Sequence, residues 1–202
     1  MVLLNGSFSI ILQIGIARTS KKKGQQVIEK MRTILLLLLV LINVGCDQVS
    51  KRIVREKIDY YEEIKIVDRY FVLTKVENSG AFLSLGNNLP GIVKIIFLSI
   101  LPALILLFGL YYLIQQDKNS AWLSVGIAFA LGGGIGNLYD RILYGSVTDF
   151  MHIDYLFIKT GIFNMADVSI MTGMILIIIG FWAQRKNELT LSEIEQNTKH
   201  NT

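Results

Sequence analysis

The sequence is poor in the residues that build metal and disulfide sites. Its 202 residues include one cysteine, Cys46, and two histidines, His152 and His200. A single thiol cannot form an internal disulfide, nor a cysteine zinc site, which needs several thiolates. Two histidines, one of them in a polar C-terminal stretch, also argue against a histidine metal site. We therefore expect no metal and no other cofactor.

Several catalytic signatures are missing as well. No His-Glu-x-x-His occurs, which excludes a zinc metalloprotease of that type. No Gly-x-Gly-Asp lies in an apolar run, which argues against the presenilin and prepilin-peptidase kind of aspartyl site. Ser50 and Lys51 are adjacent and would point about 100° apart on a helix, which makes a poor serine–lysine pair.

Apolar residues, in contrast, are abundant and clustered. They form 52% of the chain, and the mean hydropathy is +0.49. This pattern is typical of a protein that crosses a membrane several times. The net charge of +4 could indicate a nucleic-acid partner. The basic residues collect beside the apolar runs, however, so we interpret them as setting membrane orientation and expect no nucleic acid to bind.

The runs predict an all-α membrane protein with four transmembrane helices, at residues 33–46, 92–114, 121–138 and 162–182. The first is short unless its helix extends past Cys46, because about 20 residues are needed to cross the bilayer. Pro102 should bend the second helix. Small residues at four-residue spacing in the third, including Gly126 and Gly134, should let helices approach closely. Residues 47–89 predict a small β element on the bilayer surface, and residues 141–161 an amphipathic connection.

The segments at the two ends of the chain are distinct from the predicted membrane domain. Residues 1–30 form an N-terminal extension that either precedes a true start at Met31 or adds a weakly apolar segment. Residues 31–186 form the membrane domain, and residues 187–202 a polar tail that we expect to be disordered. A lipoprotein signal peptide ending at Cys46 is a rival reading of residues 31–46, which the later apolar runs disfavour. Four spans place both termini on one side, and flanking basic clusters favour the cytoplasm.

Acidic and amide residues stand where apolar runs begin and end, which favours a functional reading. Asp149 and Asp167 are candidates for a catalytic pair, in which one carboxyl holds a proton while the other acts as a base. The structural alternatives are a turn acid for Asp149 and a helix N-terminal acid for Asp167.

The remaining polar groups have structural alternatives too. Asn137, Asp140 and Arg141 lie at i, i+3 and i+4, so they share one helical face. Arg141 either pairs with Asp140 or holds the helix end, and the amide of Asn137 either contacts substrate or bridges helices. Lys51 can pair with Asp47 four residues earlier. We expect Cys46 to be a small buried side chain.

Five motifs occur in one order across residues 31–185. They are DQVSK at 47–51, ENSGAF at 77–82, GG at 132–133 with GNLYDR at 136–141, VTDF at 147–150 and FNMAD at 163–167. In this order they closely resemble the bacterial lipoprotein signal peptidases, or signal peptidase II. The sequence AFLS at 81–84 departs from the AAFS more usual in that family, which leaves the contacts of this loop open.

The resemblance implies a four-helix intramembrane aspartyl endopeptidase of the bacterial inner membrane, with a small periplasmic β-cradle and the active site near the outer face. Its substrates would be prolipoproteins, cut before a diacylglyceryl-modified cysteine, with membrane lipid as a further partner and globomycin as the inhibitor. Asp149 and Asp167 match the catalytic residues. The positions that match the substrate pocket are Asp47, Lys51, Asn78, Gly80, Asn137, Arg141, Asn164 and Ala166. We expect a monomer. The alternative class is a small transporter that uses the same acids as a proton relay.

Overall fold

The computed structural model describes residues 3–68, 70–80, 90–115 and 120–200. The chain divides into two compact units, Met1–Leu36 and Leu37–Thr202. The first is part of the long helix α1 (Leu3–Lys57). The second contains the rest of α1 and all other elements. The loop residues Ala81 and Phe82, and residues 116–119 between the second and third predicted spans, lie outside the described residues.

Helix α1 has one buried side and one apolar exposed side. Its buried residues in the second unit recur every three or four positions and include Val40, Asn43, Asp47, Lys51 and Val54. This spacing is that of a single helical face. Leu41 and Ile42 are exposed on the other side. Cys46 is exposed as well, so the expectation that it would be buried was wrong.

Among the described residues, three helical stretches are long and apolar enough to cross a membrane. They are Gly91–Gln115, Ala121–Tyr144 and Met165–Thr190. They contain helices α2 (Gly91–Ile95) and α3 (Leu101–Gln115), α4 (Ala121–Tyr144) and the first part of α5 (Met165–His200). These correspond to the second, third and fourth predicted spans. Helix α5 also runs through residues 187–200, in the segment predicted as a polar tail.

The second stretch accommodates its proline through a change of helical type. Residues Ile96–Ile100 form a π-helix between α2 and α3, and Pro102 follows directly in α3. A proline lacks an N–H and clashes with the carbonyl four residues earlier, here that of Leu98. The wider π turn lies at this point, and such turns often occur at functional sites.

Helices α4 and α5 pack backbone against backbone. A Cβ at Gly126 would lie 2.8 Å from the carbonyl oxygen of Gly173, so only glycine fits there. This confirms the close approach that the small residues of the third span predicted. At its ends, α4 begins with a bond from Leu123 N–H to the Ser120 hydroxyl (3.2 Å) and stops at Gly145, whose φ is +73°. Left-handed glycine is a common helix terminator because it carries no Cβ.

The segment that follows α1 and the segment that follows α4 together form an antiparallel sheet. Its strands are β1 (Ile64–Val67), β2 (Phe71–Asn78), β3 (Val147–Tyr155) and the two-residue β4 (Ile158–Lys159), in the order β1-β2-β3-β4. Val54 of α1 and Ile58, which directly follows α1, pack against Phe150 of β3. The predicted mostly helical architecture with a small sheet is confirmed. The extent of β3, in a segment predicted as a connection, is new.

Candidate active site

The first turn of α5 places Asp167. The Asn164 side-chain oxygen accepts from Asp167 N–H (3.0 Å), and an Asp167 oxygen accepts in return from Asn164 N–H (3.1 Å). This reciprocal arrangement is a capping box, which satisfies two of the backbone donors that a helix start leaves free. The structural alternative for Asp167 is thus realised, and it also fixes the direction of the carboxylate.

Asp149 lies on strand β3, and two asparagine side chains hold its carboxylate in place. One of its oxygens accepts from Asn164 Nδ2 at 2.6 Å, and the other from Asn78 Nδ2 at 3.0 Å. Asn164 is fully buried, and Asp149 is only 4% exposed. Because Asn164 bonds both acids, its single side chain sets their relative position.

Asn137 of α4 completes this amide frame. Its Nδ2 donates to the other Asp167 oxygen at 2.9 Å. Its Oδ1 accepts from Lys51 Nζ at 2.9 Å and from Asn164 Nδ2 at 3.2 Å. Since an ammonium can only donate, Lys51 determines which end of the Asn137 amide points at Asp167.

A buried cluster of charges lies behind the amides. Lys51 Nζ lies 2.8 Å from Asp47 and 2.9 Å from Asp140, and all three side chains are fully buried. Arg55 Nη2 lies 2.9 Å from the other Asp140 oxygen. The second Asp47 oxygen accepts from Ala166 N–H at 2.9 Å. Two cations and two anions therefore compensate each other, which such burial requires.

Arg141 lies on the other side of the frame. Its Nη2 donates to the Gly80 carbonyl oxygen at 3.0 Å, and its Nη1 reaches the Asn137 carbonyl oxygen at 3.5 Å. Among the described residues its Nε has no hydrogen-bond partner. The predicted alternative of an Arg141–Asp140 ion pair is wrong, because Asp140 pairs with Lys51 and Arg55.

Both acids line one cavity of about 520 Å³. Its polar lining consists of Asn78, Asn137, Arg141, Asp149, Asn164 and Asp167. The rest is apolar and comes largely from the second stretch, including Phe97 and Leu106, and from α5, including Met171 and Met174. A group of polar side chains at the end of an apolar cavity is the usual form of a ligand site.

Burial sets the proton affinity of Asp149, which lies outside the membrane-spanning helices. Burial, together with the charge of Asp167, raises the pKa of Asp149 from 3.8 to about 6, although the hydrogen bonds from Asn78 and Asn164 act to lower it. A carboxyl with this pKa is half protonated near pH 6, so it keeps its proton to a higher pH than a free aspartic acid. In the described part of the chain, no three His, Cys, Asp or Glu side chains are grouped to hold a metal ion.

The structure brings all ten predicted site residues into one bonded network. Six line the cavity, as given above. The other four, Asp47, Lys51, Gly80 and Ala166, are bonded to these through side chains or backbone groups and lie outside the cavity lining.

No role was predicted for Gln48 or Arg55 from the sequence. Gln48 Nε2 donates to Asp47, to Asp140 and to the Gly136 carbonyl oxygen, each at 3.1 Å. Arg55 follows Asp47 and Lys51 at a spacing of four residues, so helical periodicity alone could have placed it on their face.

Fold and site together define a class: a helical membrane protein with two acids, held by amides, in the wall of one cavity. The family model described as signal peptidase (SPase) II matches residues 38–183. The chain belongs to the signal peptidase II family. Membership indicates a protease, supports a function in lipoprotein processing, and favours the peptidase over the transporter alternative.

Similar proteins agree with this assignment. The lipoprotein signal peptidase of Streptococcus thermophilus is 33% identical over 154 residues, covering 76% of this chain and 96% of the relative. That of Enterococcus faecalis is 37% identical over 136 residues, covering 67% and 80%. A bacterial membrane enzyme solved by the in meso method at 2.3 Å resolution superposes with a TM-score of 0.67 at 30% identity, covering 76% of this chain and 90% of that one. The apolar helices fit a protein of the bacterial inner membrane.

Proposed function

We propose that the protein is an intramembrane aspartyl endopeptidase that removes signal peptides from diacylglyceryl-modified prolipoproteins, cutting before the lipidated cysteine. The observation that carries the proposal is that Asp149 and Asp167 line the same cavity and are bonded to the same residue, Asn164. Family membership supplies the reaction class, and the two acids supply a chemistry that needs no metal or cofactor.

Asp149 is the better holder of the shared proton because burial raises its pKa. Asp167 then acts as the base. It takes a proton from water as the water oxygen attacks the peptide carbonyl carbon, while Asp149 gives its proton to the carbonyl oxygen. When the tetrahedral intermediate collapses, the Asp167 proton passes to the leaving nitrogen and Asp149 recovers a proton from a hydroxyl. The pair then returns to its starting protonation state.

The cavity lining supports a division of labour among the other residues. The guanidinium of Arg141 lines the cavity and can bind a substrate carbonyl, as can the amides of Asn78 and Asn137. The apolar wall suits the signal peptide and the acyl chains of the modified cysteine. Asp47, Lys51, Gly80 and Ala166 act from behind by holding these groups in place.

In addition to the three long apolar stretches, we place a membrane span in the apolar part of α1, at residues 33–46, whose exposed side chains suit lipid. This is the first of the four predicted spans. With four spans both termini are cytoplasmic, and the site lies near the outer face. Labelling tests this orientation in a Cys46→Ser background. A cysteine at Phe157, which is 101% exposed between β3 and β4, should react with an impermeant thiol reagent on intact cells. A cysteine at Glu188, on the exposed surface of α5, should react only after lysis. The reverse pattern would refute the orientation.

Cleavage of a diacylglyceryl-modified prolipoprotein tests the reaction itself. Asp149→Asn and Asp167→Asn should each abolish cleavage, and globomycin should inhibit the unmodified protein. Asp154→Asn is the matched control, because Asp154 is an exposed acid of the same strand, 43% accessible and paired with Lys159. It should cleave normally. Full cleavage by either Asp149→Asn or Asp167→Asn would end the proposal.

A further inference from the structure

The end of the β2–β3 pair decides where Asp149 points. Val76 pairs with Asp149, Glu77 with Thr148 and Asn78 with Val147. Side chains alternate between the faces of a strand, so Asp149 faces the cavity while Thr148 faces α1. The register already shifts between Leu73 and Val76. Because a slip of one residue turns every side chain to the other face, this pairing must be fixed.

Hydrogen bonds on the face away from the cavity fix it. Thr148, which is fully buried, donates its hydroxyl to Glu77 Oε1 at 2.7 Å. The second Glu77 oxygen accepts from the Ser146 hydroxyl at 2.5 Å. The Thr148 oxygen accepts from Arg55 Nε of α1 at 2.8 Å. These bonds tie the residues next to Asn78 and Asp149 to each other and to α1.

Arg55 is itself held at two further points. Its Nη2 pairs with Asp140 of α4 at 2.9 Å. Its guanidinium carbon lies 4.1 Å from the centre of the Tyr144 ring, a cation–π contact at the end of the same helix. Arg55 thus joins the three elements α1, α4 and β3, and its planar fork can serve all three at once, which a lysine cannot.

We infer that Arg55 and Thr148 are positioning residues for the cleavage reaction, acting through the register of β3 on Asp149. Neither is among the residues that line the cavity. The inference rests on the proposed catalytic role of Asp149. According to this inference, the hydrogen bonds on the face of the sheet away from the cavity determine where the Asp149 side chain points. Small misplacements of a catalytic group cost rate rather than substrate affinity.

Two substitutions of Thr148 separate aiming from strand stability. Thr148→Val keeps the shape and the β-branch but removes the hydroxyl, and Thr148→Ser keeps the hydroxyl but loses the methyl. Strand propensity favours valine over serine. We expect the opposite order in kcat on a lipidated prolipoprotein: valine lower by about tenfold or more with KM unchanged, serine close to the parent. Equal kcat for both, a valine variant better than serine, or an effect on KM alone would overturn the inference.

Two arginines of α1 provide the second comparison. Arg55→Met should lower kcat about tenfold or more, with partial recovery in Arg55→Lys. Arg52→Met removes an arginine that pairs with Glu56 on the exposed side of α1, with 79% and 54% of the side chains accessible, and should leave kcat unchanged. Equal effects of the two methionine variants would refute the positioning role. Loss of cleavage in Asp149→Asn alongside a normal Arg55→Met would refute this inference only, whereas normal cleavage by Asp149→Asn would refute the proposed function.

Discussion

Replacing Asp149 with asparagine should change how the stability of the folded protein depends on pH. In the folded state the pKa of Asp149 is about 6, against 3.8 for the free side chain. Between these values the folded state binds more protons than the unfolded state, so the free energy of unfolding falls as pH rises. A shift of about two units corresponds to about 3 kcal/mol, of which about 2–3 kcal/mol falls between pH 4 and pH 8. The side-chain amide of the Asp149→Asn variant cannot titrate, so the variant escapes this loss.

A constant cost is superimposed on this trend. Asp149 accepts from the amides of Asn78 and Asn164, and an asparagine would present one donor where both partners donate. An unmatched buried donor costs about 1–3 kcal/mol at any pH. The variant should therefore be less stable than the parent at pH 4, and as stable as the parent or more stable at pH 8. The prediction concerns how the difference in the free energy of unfolding between parent and variant changes with pH, rather than its value at one pH.

Reversible unfolding in mixed detergent micelles, followed by tryptophan fluorescence at several pH values, measures this difference. Asp154→Asn provides the control on the same strand, because its carboxylate is exposed to water and its curve should run parallel to that of the parent. A constant difference between parent and Asp149→Asn from pH 4 to pH 8 would show that burial does not raise the pKa of Asp149. The assignment of the resting proton would then fail.

Three further substitutions test the packing by their shift in unfolding midpoint. Lys51→Met leaves the fully buried Asp140 with one cation fewer and should cost about 3–5 kcal/mol; an unchanged midpoint would contradict the buried ion cluster. Gly126→Val places side-chain atoms against the carbonyl of Gly173 and should cost about 1–3 kcal/mol or more, and a neutral effect would mean that α4 and α5 are less closely packed. Gly145→Ala forces a left-handed φ on alanine and should cost about 1–2 kcal/mol, whereas Gly24→Ala in α1, where a Cβ has open space, should not destabilise.

Helical periodicity accounts for much of what the sequence could predict. The i, i+4 relation of Asp47 and Lys51 and the i, i+3 relation of Asn164 and Asp167 both correspond to bonds in the structure. Such relations depend only on the geometry of one helix, so they require no knowledge of how helices pack.

Partners from different elements could not be predicted in this way. An ion pair with Asp140 was one of the two predicted roles of Arg141, but adjacent helical residues point about 100° apart. The partners of Asp140 come from α1 instead. Sequence spacing cannot show which face of one helix meets which face of another.

Strand β3 escaped prediction for a related reason. Its first four residues, Val147 to Phe150, are all buried, because the cavity frame covers one face and α1 the other. A strand covered on both faces loses the alternation of polar and apolar residues by which strands are found. Polar residues on both faces, Thr148 and Asp149, then give the appearance of an irregular connection.

The capping box at the start of α5 gives the enzyme an unusual vulnerability. Asn164 and Asp167 stabilise the first turn of the helix with the same side chains that set the positions of the two acids. Helix ends open more easily than helix centres. Loosening of this one turn on heating would scatter the acids while the remaining turns stay intact. Inactivation should therefore precede any visible loss of helix content, and a compound that braces this turn would protect activity without altering the melting of the fold.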